Sequence, residues 1–313
     1  MPALTVAAWV VFWNPVSVAT FAERAGGLDE ALVEWTGVDE GGLPFRRPRT
    51  PEQETTLREA ARRNGTRLWG MANNYAYPTG FDAGRMSLML NDPALRRGHV
   101  TALVKIATED RLTGIDLDYE SLKATDRDAY TVFVRDLAAA LHRDKRRLSV
   151  TVHPKVDDDG GWDGPRAQDY REIGKVADVV RIMAYDYSWS GAPAGPIAPD
   201  EWVRRVAVYA RSRVPARKLS LGIPCYGYDW GKTPATSLVW SDFLSLLTTD
   251  KAAPATDSGE EVADAARFGG ATSLARKTAI ARELGLGGIS FWYVGSEEPR
   301  TWDVLAALRP RKR

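Results

Sequence analysis

From Thr5 to Val294 the chain repeats one pattern, a short apolar or β-branched run followed by a polar or amphipathic stretch. Eight runs stand out: Thr5–Phe12, Leu32–Val38, Arg67–Ala72, Thr113–Asp118, Leu148–His153, Val179–Tyr185, Lys218–Pro224 and Gly288–Val294. Most are continuous rather than alternating, as strands covered on both faces must be. The stretches Pro51–Arg63, Pro93–Thr108, Asp126–Arg143, Pro199–Arg213 and Ser273–Leu284 are expected helices, with Asp92 before Pro93 and Pro199 before Asp200 suiting helix starts. Strict strand–helix alternation with eight strands predicts the α/β class and one (β/α)8 TIM barrel spanning residues 1–313. An open doubly wound sheet is the alternative, but no G-x-G-x-x-G follows the first run. The Ala-rich stretch Thr233–Gly269 breaks the rhythm and is expected to be a small insertion between strands seven and eight.

Composition narrows the functional classes. An apolar fraction of 44% supplies enough surface for a core. Forty-two basic and 41 acidic side chains leave a net charge of +1, which gives no long-range attraction to nucleic acid or an anionic membrane. No segment approaches the roughly 18 consecutive apolar residues of a membrane helix. The opening MPALTVAAWVVFW lacks a basic n-region and a small-residue cleavage site, so it is expected as a buried strand rather than a secretion signal. Cys225 stands alone and His occurs three times, so neither an intrachain disulfide nor a Cys/His zinc cage is expected. Cys225 reads as a core thiol. His99 and His142 fall on expected surface helices, and His153 ends the fifth strand, where it can line the mouth. The basic clusters Arg46–Arg49 and Arg309–Arg313 read as solvated surface. No cofactor or resident metal is expected, and the chain is expected to act as a monomer.

The segment Gly114-Ile115-Asp116-Leu117-Asp118-Tyr119-Glu120 carries the most chemistry. Side chains at i, i+2 and i+4 of a strand share a face, so Asp116, Asp118 and Glu120 point one way and Ile115, Leu117 and Tyr119 the other. On the fourth strand of a barrel the acids point inward and climb to the C-terminal mouth, where barrel enzymes keep their chemistry. Desolvated acids stacked ~7 Å apart cannot all ionise cheaply, so a proton is held near neutral pH and the group at the mouth is free to deliver it. A Mg²⁺ or Ca²⁺ site is the alternative use of the same carboxylates. A solvated strand face is the bland one. The acids of Asp157-Asp158-Asp159-Gly160-Gly161-Trp162 read as a solvated loop presenting Trp162.

The stretch Gly114–Glu120 resembles the D-G-x-D-x-D-x-E signature of glycoside hydrolase family 18, with Thr113 standing where that signature has its first Asp. Three further segments resemble the family in order: Met183-Ala184-Tyr185-Asp186, Gly222-Ile223-Pro224-Cys225-Tyr226-Gly227 and Gly288-Ile289-Ser290-Phe291-Trp292. The longer stretches MAYDYSWSGAPAGPIAP, LSLGIPCYGYDW and GLGGISFWYVGSEEPRTW are most similar to the bacterial spore-cortex-lytic and cell-wall N-acetylglucosaminidase branch. The resemblance implies a GlcNAc-containing polysaccharide as partner, peptidoglycan first and chitin oligosaccharides second. It also implies a setting in the envelope, the spore or outside the cell. A lectin-like, non-catalytic barrel and a metal-dependent barrel hydrolase are the competing classes.

A sugar bearing a 2-acetamido group can use its own carbonyl oxygen as nucleophile. The resemblance then assigns Glu120 as proton donor, Asp118 as the anion orienting the amide N–H, Asp116 as sharer of a proton with Asp118, and Tyr185 as donor to the acetamido oxygen. Asp186 would hold the substrate's polar edge and Trp292 would floor the ring. Eleven Trp residues add weight, because Trp13, Trp162, Trp189, Trp230 and Trp292 fall at or past strand ends, as do Tyr75, Tyr77, Tyr187, Tyr226 and Tyr228. Such rings suit the C–H faces of sugars. Trp13, Trp162, Trp189, Trp292 and Tyr226 are therefore candidate substrate contacts. Trp9, Trp35 and Trp69 lie inside strands and read as core.

Overall fold

The computed structural model describes residues 3–247, 253–254 and 258–308. Eight parallel strands form its centre: β1 (Thr5–Val10), β2 (Glu30–Val38), β3 (Arg67–Asn73), β4 (Gly114–Asp118), β5 (Arg147–Val152), β6 (Val179–Ile182), β7 (Leu219–Pro224) and β8 (Gly288–Trp292). They pair in chain order, and β1 pairs with both β2 and β8, so the sheet closes into a barrel. The expected (β/α)8 architecture is therefore present. Each of the eight sequence runs became one strand, with ends shifted by a few residues.

Local chemistry explains the helices between them. The helix Pro51–Asn64 starts at Thr50, whose hydroxyl accepts from Gln53 N–H while the Gln53 side chain accepts from Thr50 N–H, and it stops at Gly65 with φ +70°. Asp92 caps Pro93–Glu109 by accepting from the Ala94 and Leu95 N–H groups. In Arg127–Arg143 the residues Tyr130, Phe133, Val134, Leu137, Ala138 and Leu141 recur at helical spacing and are buried against the sheet. Gly114 is required where β4 begins. A Cβ there would stand 1.9 Å from the Arg147 carbonyl oxygen of β5, so only glycine lets the strands pair.

The strand alternation sorts two interiors. Ile115, Leu117 and Tyr119 join the large core between strands and helices. Inside the barrel Ala7, Trp9, Val11, Leu32, Trp69, Met71 and Tyr293 pack together. Below them lies a charged layer. Arg181, 1% exposed, donates from Nη2 to Glu30 Oε2 at 2.6 Å and from Nε to Ser149 Oγ at 2.9 Å, and the same Nε lies 3.4 Å from Asp116 Oδ1. Arg67 closes Glu30 from the barrel floor at 3.0 Å.

The region between β7 and β8 folds as a small five-stranded sheet, with strands including Gly227–Asp229, Thr236–Leu238, Glu261–Ala263 and Ala266–Phe268, beside a helix Trp240–Leu247. It begins at Gly227, before the expected Thr233. Its own core is Leu238, Phe243, Ala263, Ala266 and Phe268. Glu260 ties it to the loop after β6 by accepting from the Ile197 and Ala198 N–H groups at 3.0 and 2.8 Å.

Two expectations are corrected. His99 is fully buried, not on a surface: Nδ1 bonds the Gly42 carbonyl at 2.7 Å and Nε2 bonds the Tyr119 hydroxyl at 2.5 Å. Its helix face carries apolar neighbours, and polar partners arriving from elsewhere in the chain make the burial tolerable. Arg46–Arg49 is not free solvated charge. Arg46 pairs with Glu109 and Asp110, Arg49 pairs with Glu54 while lying 3.9 Å over Trp35, and Arg47 pairs with Glu34 at 3.2 Å. The partners are mostly distant in sequence, so the cluster alone could not reveal them. Arg309–Arg313 lies outside the described residues.

Arg181→Met leaves Asp116 and one oxygen of Glu30 without their cation inside the barrel. Breaking a buried pair from one side costs about 3–5 kcal/mol. The double variant Glu30→Gln/Arg181→Met is expected to lose less than the single one. Denaturant melts of the three proteins measure both differences.

Candidate active site

A cleft of about 730 Å³ opens at the C-terminal mouth of the barrel. That volume suits several sugar units in part-buried contact. Asp118, Glu120, Tyr185, Asp186, Tyr226, Trp292 and Trp13 all line it. Asp116 lies beneath, fully buried, accepting from the Trp9 indole N–H at 3.1 Å. The inward alternation of β4 thus stacks the three acids as the spacing predicts, with Glu120 just past the strand end. Trp162 and Trp189, though exposed at 48% and 52%, are not among the cleft-lining residues. Trp162 packs its ring 4.7 Å from that of His153. The Trp189 carbonyl accepts from the Trp230 indole at 3.3 Å.

Burial sets the electrostatics of the acids. It pushes Asp116 above the ordinary carboxylate range, with Arg181 pulling the other way. Asp118 is raised well above that range, first by burial and then by the neighbouring Glu120, Asp116 and Glu34 carboxylates. Glu120 is pushed up to about 8, by burial and then by Asp186. Asp118 Oδ1 is buried without a hydrogen-bond partner among the described residues. An orphaned acceptor of this kind in a cleft floor is a place for a ligand's donor.

The wall facing the acids is built from β6 and β7. Asp186, in the left-handed region at φ +58°, accepts from the Tyr226 hydroxyl at 2.5 Å and the Tyr228 hydroxyl at 3.0 Å. Burial raises it, and the two phenols oppose that. Tyr185 packs edge-on to Tyr226, centroids 6.0 Å apart, and burial among carboxylates keeps its phenol protonated. On the other side Trp292 lies 5.8 Å from Trp9, and Trp13 meets Tyr293 edge-on at 5.1 Å. The hairpin Tyr75–Phe81 carries the cleft outward through Tyr75, Tyr77 and Phe81.

Several residues that line the cleft or brace its acids escaped the sequence reading. Glu34 is buried in the cleft wall, held by Arg47 and by Asn73 Nδ2 at 3.2 Å, and its carboxyl is raised by burial. Arg47 also donates to Asn73 Oδ1 at 2.5 Å and to the Tyr75 carbonyl at 3.0 Å. Asn74 holds the main chain of Glu120, its Oδ1 accepting from Glu120 N–H at 2.8 Å and its Nδ2 donating to Glu120 C=O at 2.9 Å. Glu34 had a usable signal, an acid inside an otherwise apolar strand run. Asn73 and Asn74 had none, since amides at a strand end are ordinary turn residues.

The raised Glu120 has a consequence for stability. It binds a proton more tightly folded than unfolded, so folding loses stability as pH rises from the ordinary Glu value near 4.5 through about 8. Glu120→Gln removes that loss. Its Tm advantage over the parent is therefore expected to be larger at pH 8 than at pH 5 in paired calorimetric scans. An advantage that shrinks with pH contradicts the assignment.

A sequence model of glycosyl hydrolases family 18 matches residues 79–297. The chain is 31% identical over 238 residues to the cortical fragment-lytic enzyme of Bacillus subtilis (strain 168), covering 70% of this chain and 55% of that one. It is 27% identical over 260 residues to the uncharacterized glycosylase YvbX of the same organism, covering 78% and 76%. The chain thus spans little more than half the length of the cortical fragment-lytic enzyme. Among solved structures, a class V chitinase from Pseudomonas fluorescens Pf-5 superposes with a TM-score of 0.89 at 27% identity, covering 97% of this chain and 99% of that one. The motifs, the closed barrel and these matches agree: the chain belongs to glycoside hydrolase family 18.

Proposed function

We propose that the protein is a retaining β-N-acetylglucosaminidase that cleaves β-1,4 linkages after GlcNAc in peptidoglycan, using the substrate's own acetamido group as nucleophile. The observation that carries this reading is Asp118 Oδ1, buried and without a hydrogen-bond partner among the described residues, beneath Glu120, whose carboxyl burial pushes up to about 8. A GlcNAc ring seated over Trp292 offers its acetamide N–H to that oxygen. Its carbonyl oxygen then lies under the anomeric carbon, and the Tyr185 hydroxyl donates to it. Well-aligned intramolecular attack removes about 7–11 kcal/mol of ordering cost.

In the first step Glu120 gives its proton to the glycosidic oxygen, the C1–O bond breaks, and the acetamido oxygen bonds C1 to form an oxazolinium ion. Asp118, ionised, steadies that cation, and Asp116 takes part in sharing the remaining proton. In the second step water attacks C1 from the face the leaving group vacated, the bond from C1 to the acetamido oxygen breaks to restore the acetamide, and Glu120, now a carboxylate, takes the water's proton. Two inversions at C1 give net retention. Asp186, fixed by Tyr226 and Tyr228, meets the substrate's polar edge. Trp13 extends the apolar floor, and Trp162 and Trp189 serve only sugars that reach beyond the cleft.

Peptidoglycan is favoured by the likeness to the cortical fragment-lytic enzyme, whose name describes its substrate. Chitin oligosaccharides are the second reading, favoured by two observations. The chitinase similarity runs over nearly the whole of both chains. In addition, Arg47 is the only Lys or Arg lining the cleft among the described residues, and Glu34 already pairs it. Among the described residues no other lining cation is left for the carboxylate of a muramic acid unit.

Loss of a general acid costs about 10²–10⁴ in rate. Glu120→Gln is expected to fall by that factor while keeping affinity for GlcNAc oligomers by calorimetry. A parental rate in Glu120→Gln contradicts the mechanism. Mass analysis of digests should find new reducing ends at GlcNAc, and ends at MurNAc would overturn the bond assignment. A polymer whose cleavage-site sugar is de-N-acetylated should resist hydrolysis altogether. Parental activity that disappears with EDTA would favour a metal-dependent hydrolase instead.

A further inference from the structure

The β4 strand ends at Asp118, so the main chain through Tyr119, Glu120 and Ser121 needs other partners for its polar groups. Three side chains supply them. Asn74 takes both polar groups of Glu120, Gln168 Nε2 donates to Tyr119 C=O at 3.3 Å, and Ser121 N–H donates to His153 Nε2 at 3.3 Å. Ser121 sits at φ +54°, a region that non-glycine residues adopt only when surrounding contacts impose it. His153 is itself fixed on several sides. Its N–H donates to Gln168 Oε1 at 2.7 Å, its carbonyl accepts from the Tyr170 hydroxyl, and its ring packs against Trp162.

An acceptor at Nε2 fixes the tautomer. The neutral imidazole carries its one proton on Nδ1. That nitrogen lies 3.9 Å from Glu120 Oε2, just beyond hydrogen-bond reach. Burial, with Lys155 adding to it, pushes the imidazole down to about 3, so the ring stays neutral through the working range.

We propose that His153 is a positioning residue for Glu120, holding the chain after it through Nε2 and donating from Nδ1–H to its carboxylate once the acid has given up its proton. This rests on the reading of Glu120 as the proton donor. No proton leaves His153. The contact shortens as charge appears on Glu120, and it favours the charged form that activates water in the second step. The other groups facing the pair act differently. Asp118 from β4 and Asp186 after β6 disfavour charge on Glu120, Tyr185 lies across the cleft, and Lys155 donates to Gln168 C=O at 2.6 Å while its charge disfavours protonation of His153. Trp162 gains a purpose here, as the ring that holds His153 in place.

The test compares pH profiles of kcat and kcat/KM on a GlcNAc tetramer for the parent, His153→Ala, His153→Asn, His153→Gln and Glu120→Gln. Asn places an amide N–H near the position of Nδ1, whereas Gln places it near Nε2. His153→Ala and His153→Gln are expected to move the alkaline limb of kcat/KM upward by about one pH unit. They should lower kcat about tenfold with KM little changed. His153→Asn should keep the parental limb. Equal limbs in all three His153 variants, with Glu120→Gln inactive, overturn the proposal. Should His153→Ala lose its cooperative melt, the Asn–Gln comparison carries the same decision. Full activity in Glu120→Gln sinks the underlying reading instead, which separates the two failures.

Discussion

Everything in the site depends on the low-dielectric interior into which β4 directs its acids. Asp116 and Asp118 are fully or nearly buried, and Glu120 stands above them at the rim. Carboxylates so close and so dry cannot all carry charge, so the proton needed for chemistry is held by position rather than by solution pH. The barrel makes this possible because its inward side chains come from strands that cannot separate. A closed sheet has no free edge along which an expensive interior could relax.

The same constraint explains the charged layer below. Reading upward inside the barrel, Arg67, Glu30, Arg181 and Asp116 alternate in sign before the acids of the site begin. Buried charges persist only when paired and hydrogen-bonded, and Arg181 meets that condition with Glu30, Asp116 and Ser149 together. Thr113 stands where the family signature has its first acid. In this chain the deep end of the stack is instead neutralised from β6. Asp118 therefore has a firmly bonded neighbour beneath it and, above it, a carboxyl at the cleft mouth.

Much of this was legible in the sequence because strand periodicity is rigid. A period of two fixes which of Asp116, Leu117 and Asp118 face inward, and continuous apolar runs mark parallel strands whatever their neighbours. The eight strand runs followed from that, and the principal helices from the amphipathic stretches between them. What could not be read depends on contacts across the barrel. Arg181 sits in a run of apolar residues and Glu34 in another, yet nothing local says that Glu30 or Arg47 will meet them. Asn74 is a turn residue until β3 lies beside β4. His99 looked exposed because its helix is amphipathic, and the Gly42 carbonyl that satisfies it comes from a loop far upstream. Trp162 fell at a strand end like the cleft aromatics, but its ring turns to His153.

The central claim is that the acid stack works on a sugar that brings its own nucleophile. A crystal structure of Glu120→Gln with a GlcNAc oligomer bound across the mouth tests it most directly. The account predicts the acetamido oxygen about 3 Å from the anomeric carbon of the ring over Trp292, within near-attack distance, with its N–H on Asp118. An acetamido group turned to solvent, with a carboxylate oxygen of the protein beneath that carbon instead, would contradict it.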